Sequence, residues 1–275
     1  KRELSAIKDN REEIEYSFGA ELEFGTAGMR GIIGYGTNKM NVYTVSRATQ
    51  GLSQFIKGLG EEAMKRGVVI SYDTRLKSDA FARAAAEVLA ANNIKAYLFG
   101  DVHPVPMLSF AVRCLGTVAG IMITASHNPK QYNGYKVYGA DGAQMSPEDT
   151  KVVVDSISQI TDYLSSPVPT EEQKKKYILA VPSKVDKKYY KELTKLTLSK
   201  KAVKKCGKKL KLVYTPVHGS GYVPVTTILK KIGINATVVE EQTKKDVEFS
   251  TVAVPNPEFK ETLSMGIALA EKIGA

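Results

Sequence analysis

Cysteine, histidine and tryptophan are scarce in this chain of 275 residues, which has two cysteines, three histidines and no tryptophan. Two cysteines cannot form a disulfide framework, so a reducing, cytoplasmic setting is predicted. No Cys-x-x-Cys or His-x-x-x-His spacing occurs, which argues against a zinc site. The longest strongly apolar run covers only 118–125, whereas a membrane-spanning helix needs roughly 18 residues. A membrane partner is therefore not expected.

Acidic residues are scarce in one long stretch, although the composition as a whole is typical of a globular protein, with 43% hydrophobic and 25% charged residues. The net charge is +10, and residues 174–211 hold fifteen lysines against Asp186 and Glu192. That stretch has no arginine, and its tyrosines do not alternate with the lysines as a base-stacking surface would require. A solvated lysine surface is the favoured interpretation, and a nucleic-acid partner is the alternative that is not favoured.

The pattern of apolar residues alternates between strands and helices, which predicts an α/β fold with helices on the faces of the sheets. Strands are predicted over 68–72, 96–99, 118–125, 136–138, 210–214 and 236–239, and helices over 4–18, 43–59, 79–91, 107–115, 146–160, 187–198 and 223–232. We therefore predict two α/β/α-layered domains with mixed sheets, domain I over 1–182 and domain II over 183–275. The alternation predicts another strand after Ala275, so domain II is expected to be truncated.

The sharpest chemical signal is the segment Ile-Thr-Ala-Ser-His-Asn-Pro at 123–129. It puts Ser126 at the C-terminal end of a buried strand, where α/β sheets bind ligands. A serine followed by His127 in a turn is suggestive of phosphoryl or acyl chemistry, but the Gly-x-Ser-x-Gly pattern of acyl transfer is missing. From these residues alone, a turn capped by a serine side chain stays open as the alternative.

Two cations are further candidates for the site. The Asn-Gly pair at 133–134 is typical of a hairpin turn, which would bring Lys136 back beside Ser126 to hold a phosphate or carry a proton. Arg30 lies in a predicted glycine-rich loop over 25–36, where the backbone can approach an anion and the guanidinium can bind it. For both cations, an ordinary exposed side chain is the alternative.

Other motifs are less specific. Asp73 and Arg75 follow a predicted strand and form either a local ion pair, which is the favoured interpretation, or part of a site wall. His218 could help to shape a site, but a simple turn is favoured. The chain has no Walker A sequence and no complete dinucleotide-binding fingerprint, so the nucleotide-binding folds are not indicated.

Four motifs taken together resemble those of the α-D-phosphohexomutases. They are Phe-Gly-Thr-Ala-Gly-Met-Arg-Gly at 24–31, Thr-Ala-Ser-His-Asn-Pro at 124–129, Asn-Gly-Tyr-Lys-Val at 133–137 and Thr-Pro-Val-His-Gly at 215–219. The resemblance covers essentially the whole chain and is strongest before Pro147. Within the family, the chain is most similar to the α-phosphoglucomutases of the type related to phosphopentomutases. The resemblance implies four domains around a central cleft, of which this chain would be about the N-terminal half.

The resemblance implies roles for five residues. Ser126 would be the phosphoserine that donates and reaccepts a phosphoryl group. His127 and Lys136 would handle protons and hold the phosphate. Arg30 would face the phosphoserine, and Asn128 would help to set the shape of the loop and to bind substrate.

The resemblance also implies two cofactors. One Mg²⁺ would be bound by a phosphoryl oxygen on Ser126 and by three aspartates of a loop that is expected beyond Ala275. Glucose 1,6-bisphosphate would be the priming phosphoryl donor.

The implied activity is the interconversion of glucose 1-phosphate and glucose 6-phosphate through a phosphoserine enzyme and a bisphosphate intermediate. A phosphopentomutase, a phosphomannomutase or a phosphoglucosamine mutase is the near alternative, because the domain that reads the sugar would lie outside these residues. A non-catalytic module that binds sugar phosphates is a second class of hypothesis, and it predicts that Ser126→Ala leaves the function intact. We expect these 275 residues alone to turn over little or no substrate.

Overall fold

The first sheet is mixed and holds seven strands among the residues that the computed structural model describes, 2–26 and 28–275. In their order across the sheet, the strands are β1 (Phe24–Gly25), β2 (Gly28–Ile32), β6 (Tyr132–Gly139), β5 (Ala119–Ile123), β3 (Val68–Tyr72), β4 (Ala96–Leu98) and β7 (Ile178–Ala180). Strands β5, β3, β4 and β7 are parallel, whereas β6 runs antiparallel to both β5 and β2. The turn from β5 to β6 therefore lies where a parallel array changes into an antiparallel one.

Helices pack on both faces of this sheet. The helices of this first unit are α1 (Arg2–Ile7), α2 (Arg11–Phe18), α3 (Val42–Gly58), α4 (Glu61–Arg66), α5 (Ser78–Ala91), α6 (Val105–Leu115), α7 (Pro147–Ser158) and α8 (Glu171–Tyr177). Alternate residues of a strand point to opposite faces. Val68 and Ile70 thus join a core with α3, α5 and α7, whereas Val69 joins a second core with α6. Because both faces are buried, β3 and β5 are apolar along most of their length.

A second, smaller sheet follows. Its unit contains α9 (Lys184–Lys195), α10 (Lys200–Cys206), β8 (Leu212–Tyr214), α11 (Tyr222–Ile232), β9 (Ala236–Val238) and α12 (Ser264–Ile273), with 3-10 turns at Glu240–Gln242 and Lys260–Leu263. Strands β8 and β9 are parallel, and α11 connects them. The predicted α/β fold with two layered units is confirmed. The larger sheet is mixed, whereas the two described strands of the smaller sheet are parallel. None of the described helices is both long and apolar enough to cross a bilayer.

Two local predictions from the sequence are wrong. The single helix predicted over 4–18 is two helices, because the side chain of Asn10 accepts a hydrogen bond from the Glu13 amide and begins a new helix. The Asn-Gly pair at 133–134 lies inside β6, and residues 124–131 form the connection instead. The chain does return beside the serine segment, but through a longer turn than the pair predicted.

The glycine-rich segment over 25–36 is also different from the predicted loop, because much of it is strand. Gly28 has a φ of 151°, and a Cβ atom added there would lie 2.0 Å from the carbonyl oxygen of Tyr135. Only glycine allows β2 to come this close to β6. Arg30 is consequently a strand residue paired with Gly134. Ala27 of the same segment lies outside the described residues.

Candidate active site

Ser126 lies in the connection between β5 and β6 with an unusual backbone conformation. Its φ is 58°, in the left-handed region that residues other than glycine adopt rarely. Its amide donates a hydrogen bond to Thr124 Oγ1 at 3.0 Å, while the residue itself is exposed. A residue in this region costs free energy and persists only where the surrounding structure fixes it. Contacts from the surrounding structure must therefore fix the conformation of this turn.

Arg75 holds the turn from beneath. Its side chain is 1% exposed and lies beside four main-chain carbonyl groups. Nη2 donates to the carbonyl oxygens of Ser126 at 2.7 Å and Asn128 at 2.6 Å, and Nη1 donates to those of Pro129 at 3.0 Å and Tyr132 at 3.1 Å. A guanidinium is rigid and always charged, so these bonds fix the main chain along the whole turn.

Asp73 connects this support to the serine amide. Its carboxylate lies 3.4 Å from Arg75 Nε and accepts hydrogen bonds from the hydroxyls of Thr124 at 2.6 Å and Ser78 at 2.7 Å. Thr124 Oγ1 also accepts the bond from the Ser126 amide, so the chain of contacts is continuous. Burial raises the pKa of Asp73 and lowers the pKa of Arg75, while the hydroxyl hydrogen bonds and the attraction within the pair oppose these shifts.

Three of the predicted side chains lie on or against the exposed side of the turn. His127 Nδ1 is 3.4 Å from Ser126 Oγ. Arg30 Nη1 donates to Asn128 Oδ1 at 2.9 Å, and this bond joins β2 to the turn. Within the described residues, no hydrogen bond joins the Ser126 hydroxyl to Arg30. The Ser126 hydroxyl is therefore accessible to a ligand. The cation Arg30 is joined to the same turn through its hydrogen bond to Asn128.

Lys136 is half-buried in the middle of β6, whereas the sequence predicted it at the start of that strand. It pairs with Gly28 of β2, and Arg30 pairs with Gly134, so the two cations are diagonal neighbours on one face of the sheet. Burial, and then the charge of Arg30, lower the pKa of Lys136. A lowered pKa makes a lysine a better candidate for proton transfer than an ordinary exposed lysine.

Gly134 brings the backbones of β2, β6 and the serine turn together. Its carbonyl oxygen accepts a hydrogen bond from the Thr124 amide at 3.0 Å. A Cβ atom added to it would lie 2.6 Å from the carbonyl oxygen of Thr124 and 3.0 Å from that of Met29. Both are main-chain atoms that cannot move aside cheaply. The close approach of these segments therefore depends on glycine.

The serine turn forms part of the wall of an open cleft of about 460 Å³ between the two units. The second unit contributes Phe249, Pro255, Pro257 and residues 215–217 and 219–220. Beside the cleft, Lys130 Nζ lies 2.6 Å from Glu248 Oε2, and the guanidinium of Arg75 lies 5.6 Å from the ring centre of Phe249. The volume falls within the range of small-molecule sites, about 300–1,000 Å³.

His218 is a structural residue, in agreement with the favoured interpretation. It is 3% exposed, and its ring nitrogens lie 2.9 Å from the Lys244 carbonyl oxygen and 2.8 Å from Thr251 Oγ1. These contacts hold the ring inside the second unit, and His218 is not among the residues that line the cleft.

The implied metal site is not formed by the residues described. In that part of the chain, no group of three or more His, Cys, Asp and Glu side chains could hold a metal ion. Ala275, beyond which the aspartate ligands are expected, has no role in the serine turn. Its amide donates a hydrogen bond to the Ala270 carbonyl oxygen at 2.9 Å and so caps α12. Of the metal ligands that the resemblance implies, only Ser126 lies within this structure.

Arg75 has a larger role in the site than the sequence predicted. The sequence favoured a local pair with Asp73 over a role in the site wall, and the structure contains both. A signal was present, since Asp-Thr-Arg follows the C-terminal end of β3, the strand next to β5. Carboxyl ends of adjacent parallel strands meet at one edge of a sheet, so the pair had to lie near the serine turn.

Fold and site together define a class of α/β protein in which a serine turn lies at a cleft between two layered units. Residues 21–164 match the family described as phosphoglucomutase/phosphomannomutase, alpha/beta/alpha domain I, and residues 187–275 match alpha/beta/alpha domain II of the same family. The chain belongs to the phosphoglucomutase/phosphomannomutase family.

Individual relatives agree with this assignment. A phosphoglucomutase of Staphylococcus aureus strain N315 is 38% identical over 256 residues, which are 93% of this chain and 45% of that protein. The crystal structure of a candidate phosphomannomutase from Thermus thermophilus has a TM-score of 0.72 and 29% identity, over 91% of this chain and 52% of that one. A family member from Burkholderia thailandensis shares the fold, with a TM-score of 0.68 and 21% identity over 92% of this chain and 50% of that one. The chain thus spans about half the length of these relatives.

Proposed function

We propose that this chain is the phosphoserine-bearing part of a mutase that interconverts glucose 1-phosphate and glucose 6-phosphate, with Ser126 as the phosphorylated residue. One observation carries the proposal: Ser126 is exposed at the cleft, whereas its main chain is fixed by the buried Arg75. Phosphoryl transfer depends mainly on positioning and on charge stabilisation. Similarity to a phosphoglucomutase over most of the chain supports the choice of substrate class.

Two transfers give isomerisation without net loss of phosphate. In the first, the phosphorus–oxygen bond to Ser126 breaks as a sugar hydroxyl oxygen bonds to phosphorus, and the proton of that hydroxyl passes to a basic group. The bisphosphate then turns in the cleft. In the second transfer, the bond from a sugar oxygen to its other phosphorus breaks as the Ser126 oxygen bonds to that phosphorus, and the released sugar oxygen takes up a proton from the basic group. His127, at 3.4 Å from Ser126 Oγ, and Lys136, with its lowered pKa, are the candidates for proton transfer.

The cations on β2 and β6 suit a phosphorylated Ser126. A phosphoserine carries about −1.5 to −2 charges at neutral pH. Arg30 and Lys136, diagonal neighbours in the sheet, would offset most of that charge. Asn128 accepts a 2.9 Å hydrogen bond from Arg30 and so orients its guanidinium. Asn128 would thus be a positioning residue that holds Arg30 toward the substrate.

Magnesium belongs to the proposal, but the described residues do not form its site by themselves. A phosphorylated Ser126 would supply one oxygen ligand, and no cluster of carboxylates lies within the described residues to add the others, which are proposed to follow Ala275. Mg²⁺ requires near-octahedral oxygen coordination. We therefore assign no step to the metal. Glucose 1,6-bisphosphate is the proposed source of the first phosphoryl group, since it is the bisphosphate intermediate of the proposed reaction.

The boundary between the units is proposed at 182/183. Strand β7, which ends at Ala180, is the last strand of the large sheet, and α9 begins at Lys184. The two matched family regions leave 165–186 unassigned, which is consistent with a boundary in that interval. A cytoplasmic setting is also proposed, because both cysteines are free thiols, as expected in a reducing compartment.

The direct test is phosphorylation of the full-length protein by glucose 1,6-bisphosphate. Mass spectrometry should find one added phosphoryl group, and peptide mapping should find it on Ser126. The Ser126→Ala variant should take up no phosphate and lose mutase activity, whereas the control Ser158→Ala, an exposed serine at the end of α7, should behave like the unsubstituted protein. Phosphate on another residue, or full activity of Ser126→Ala, would reject the proposal and favour a non-catalytic binding module.

The sugar is tested separately. The ratio kcat/KM measured for glucose, ribose and mannose 1-phosphates should be highest for glucose. A higher value for ribose or mannose would retain the phosphoserine chemistry and replace the substrate with that of a phosphopentomutase or a phosphomannomutase.

A further inference from the structure

A second concave surface lies in the lysine-rich part of the chain. It is a groove of about 510 Å³ between α10 and the C-terminal end of α11, and among the described residues it shares no lining residue with the cleft at Ser126. Its five charged lining residues are all lysines: Lys200, Lys204, Lys208, Lys230 and Lys231. We name these five residues and their groove the lysine groove. Within the described part of the chain, no acidic residue and no arginine lines it.

The lysines of the groove lack an anionic partner in residues 2–26 and 28–275. Other lysines of the stretch 174–211 are paired, such as Lys195 with Glu192 at 2.7 Å and Lys174 with Glu171 at 3.0 Å. None of the five groove lysines takes part in an ion pair or a side-chain hydrogen bond within the described residues. The groove is therefore a concentration of positive charge that this part of the fold leaves uncompensated.

This charge is a cost to local stability. In α10, Lys200 lies one turn before Lys204, and Lys201 lies one turn before Lys205, so both pairs at this spacing are repulsive. The first turn of α10 has two lysines and no acid, opposite to the preference of the helix dipole. An arrangement that weakens its own helix is explained if a bound anion offsets the repulsion.

The shape of the groove strengthens its field. Val203 and Ile232 contribute apolar surface between the lysines, and both are half-buried. Clefts lined by charge of one sign, with walls of low dielectric constant, focus the field and raise the local concentration of the opposite ion. A flat lysine surface would not have this effect.

We propose that the lysine groove binds a compact anion that carries several phosphate groups. The volume suits a small molecule. Lysine binds phosphate as a point charge, and five such charges suit a multivalent ligand. A nucleic acid fits less well, because no aromatic side chain of the described residues lines the groove to stack on a base. This site is independent of the proposed function at Ser126.

The test uses the full-length protein and inorganic tripolyphosphate as the probe, in isothermal titration calorimetry. We expect saturable binding that weakens between 50 and 200 mM salt, as screening predicts in general (on the order of a threefold to tenfold change). The double variant Lys204→Glu/Lys231→Glu should bind at least about tenfold more weakly, since it reverses two of five charges. Both positions are exposed, so the substitutions leave the core intact.

The matched control is Lys175→Glu/Lys188→Glu, which makes the same charge change at two exposed lysines outside the groove. Unchanged affinity in this control supports the proposal. An equal loss in both double variants would show a diffuse charge effect and would overturn it. Binding that persists in the groove variant would place the tripolyphosphate site outside the groove and would also overturn the proposal. Groove-dependent binding of duplex DNA without binding of tripolyphosphate would replace the compact anion with a nucleic acid.

Discussion

Replacement of Arg75 by methionine tests the support of the serine turn. Methionine keeps the length and apolar character of the side chain but donates no hydrogen bond. The substitution removes all four bonds to carbonyl oxygens of the turn and leaves Asp73 buried without its cation. Breaking a buried ion pair by removing one partner costs about 3–5 kcal/mol. For a domain of this size, that loss lowers Tm by roughly 6–20 °C.

The assay is urea unfolding followed by circular dichroism, with phosphorylation of Ser126 as a second readout. Because a misplacement of 1 Å can cost about 100-fold in rate, phosphorylation should slow by that order even below the melting temperature. The control is Arg83→Met on α5, an exposed arginine, which should change the free energy of unfolding by less than about 0.5 kcal/mol.

A combined variant separates charge from hydrogen bonding. In Asp73→Asn with Arg75→Met, no uncompensated carboxylate remains, so the double variant should be more stable than the sum of the single losses predicts, by about 0.5–3 kcal/mol. Phosphorylation should stay slow, since the turn still lacks its four hydrogen bonds. If Arg75→Met lost less than about 1 kcal/mol, or if it phosphorylated at the normal rate, the argument for Arg75 as the support of the turn would fail.

Two further predictions concern β2 and β6. Arg30→Met removes a like charge beside Lys136, so the pKa of Lys136 should rise. ¹⁵N NMR of the labelled lysine side chain should then detect its titration at a higher pH. An unchanged titration would show that Arg30 does not lower the pKa of Lys136. Gly134→Ala should destabilise by about 1–3 kcal/mol, because the new Cβ meets main-chain oxygens. Gly58→Ala, at an open position in α3, should instead be neutral or stabilise by up to about 1 kcal/mol in the same urea titration.

The sequence was informative where a signal is local. The apolar run at 118–125 followed by small polar residues predicted both a buried strand and the position of Ser126 at its C-terminal end, and the structure has a strand over Ala119–Ile123. Likewise, the helix predicted over 223–232 ends at Ile232 in the structure, where the following Gly233 adopts a left-handed φ of 90°. In each case, neighbouring residues determine the conformation.

The sequence was misleading where a distant segment decides the structure. The segment over 25–36 has the glycine content of a loop, yet its strand pairs with β6, whose residues lie 100 to 108 positions further along the chain. Strand formation depends on such partners more than on intrinsic preference. The role of Arg75 was missed for the same reason, since its bonds reach carbonyl groups 51 to 57 residues away.

The support of the serine turn through carbonyl oxygens has a consequence for how this site can change. Every residue has the same carbonyl group, so Arg75 holds the turn without regard to which side chains the turn displays. The side chains of His127 and Lys130 are exposed on the turn, and their contacts are with Ser126 Oγ and Glu248, not with its main chain. Substitution at these positions would change the side chains exposed at the turn while the turn keeps its shape. The shape of the main chain and the identity of the exposed side chains of the turn can thus change independently of each other.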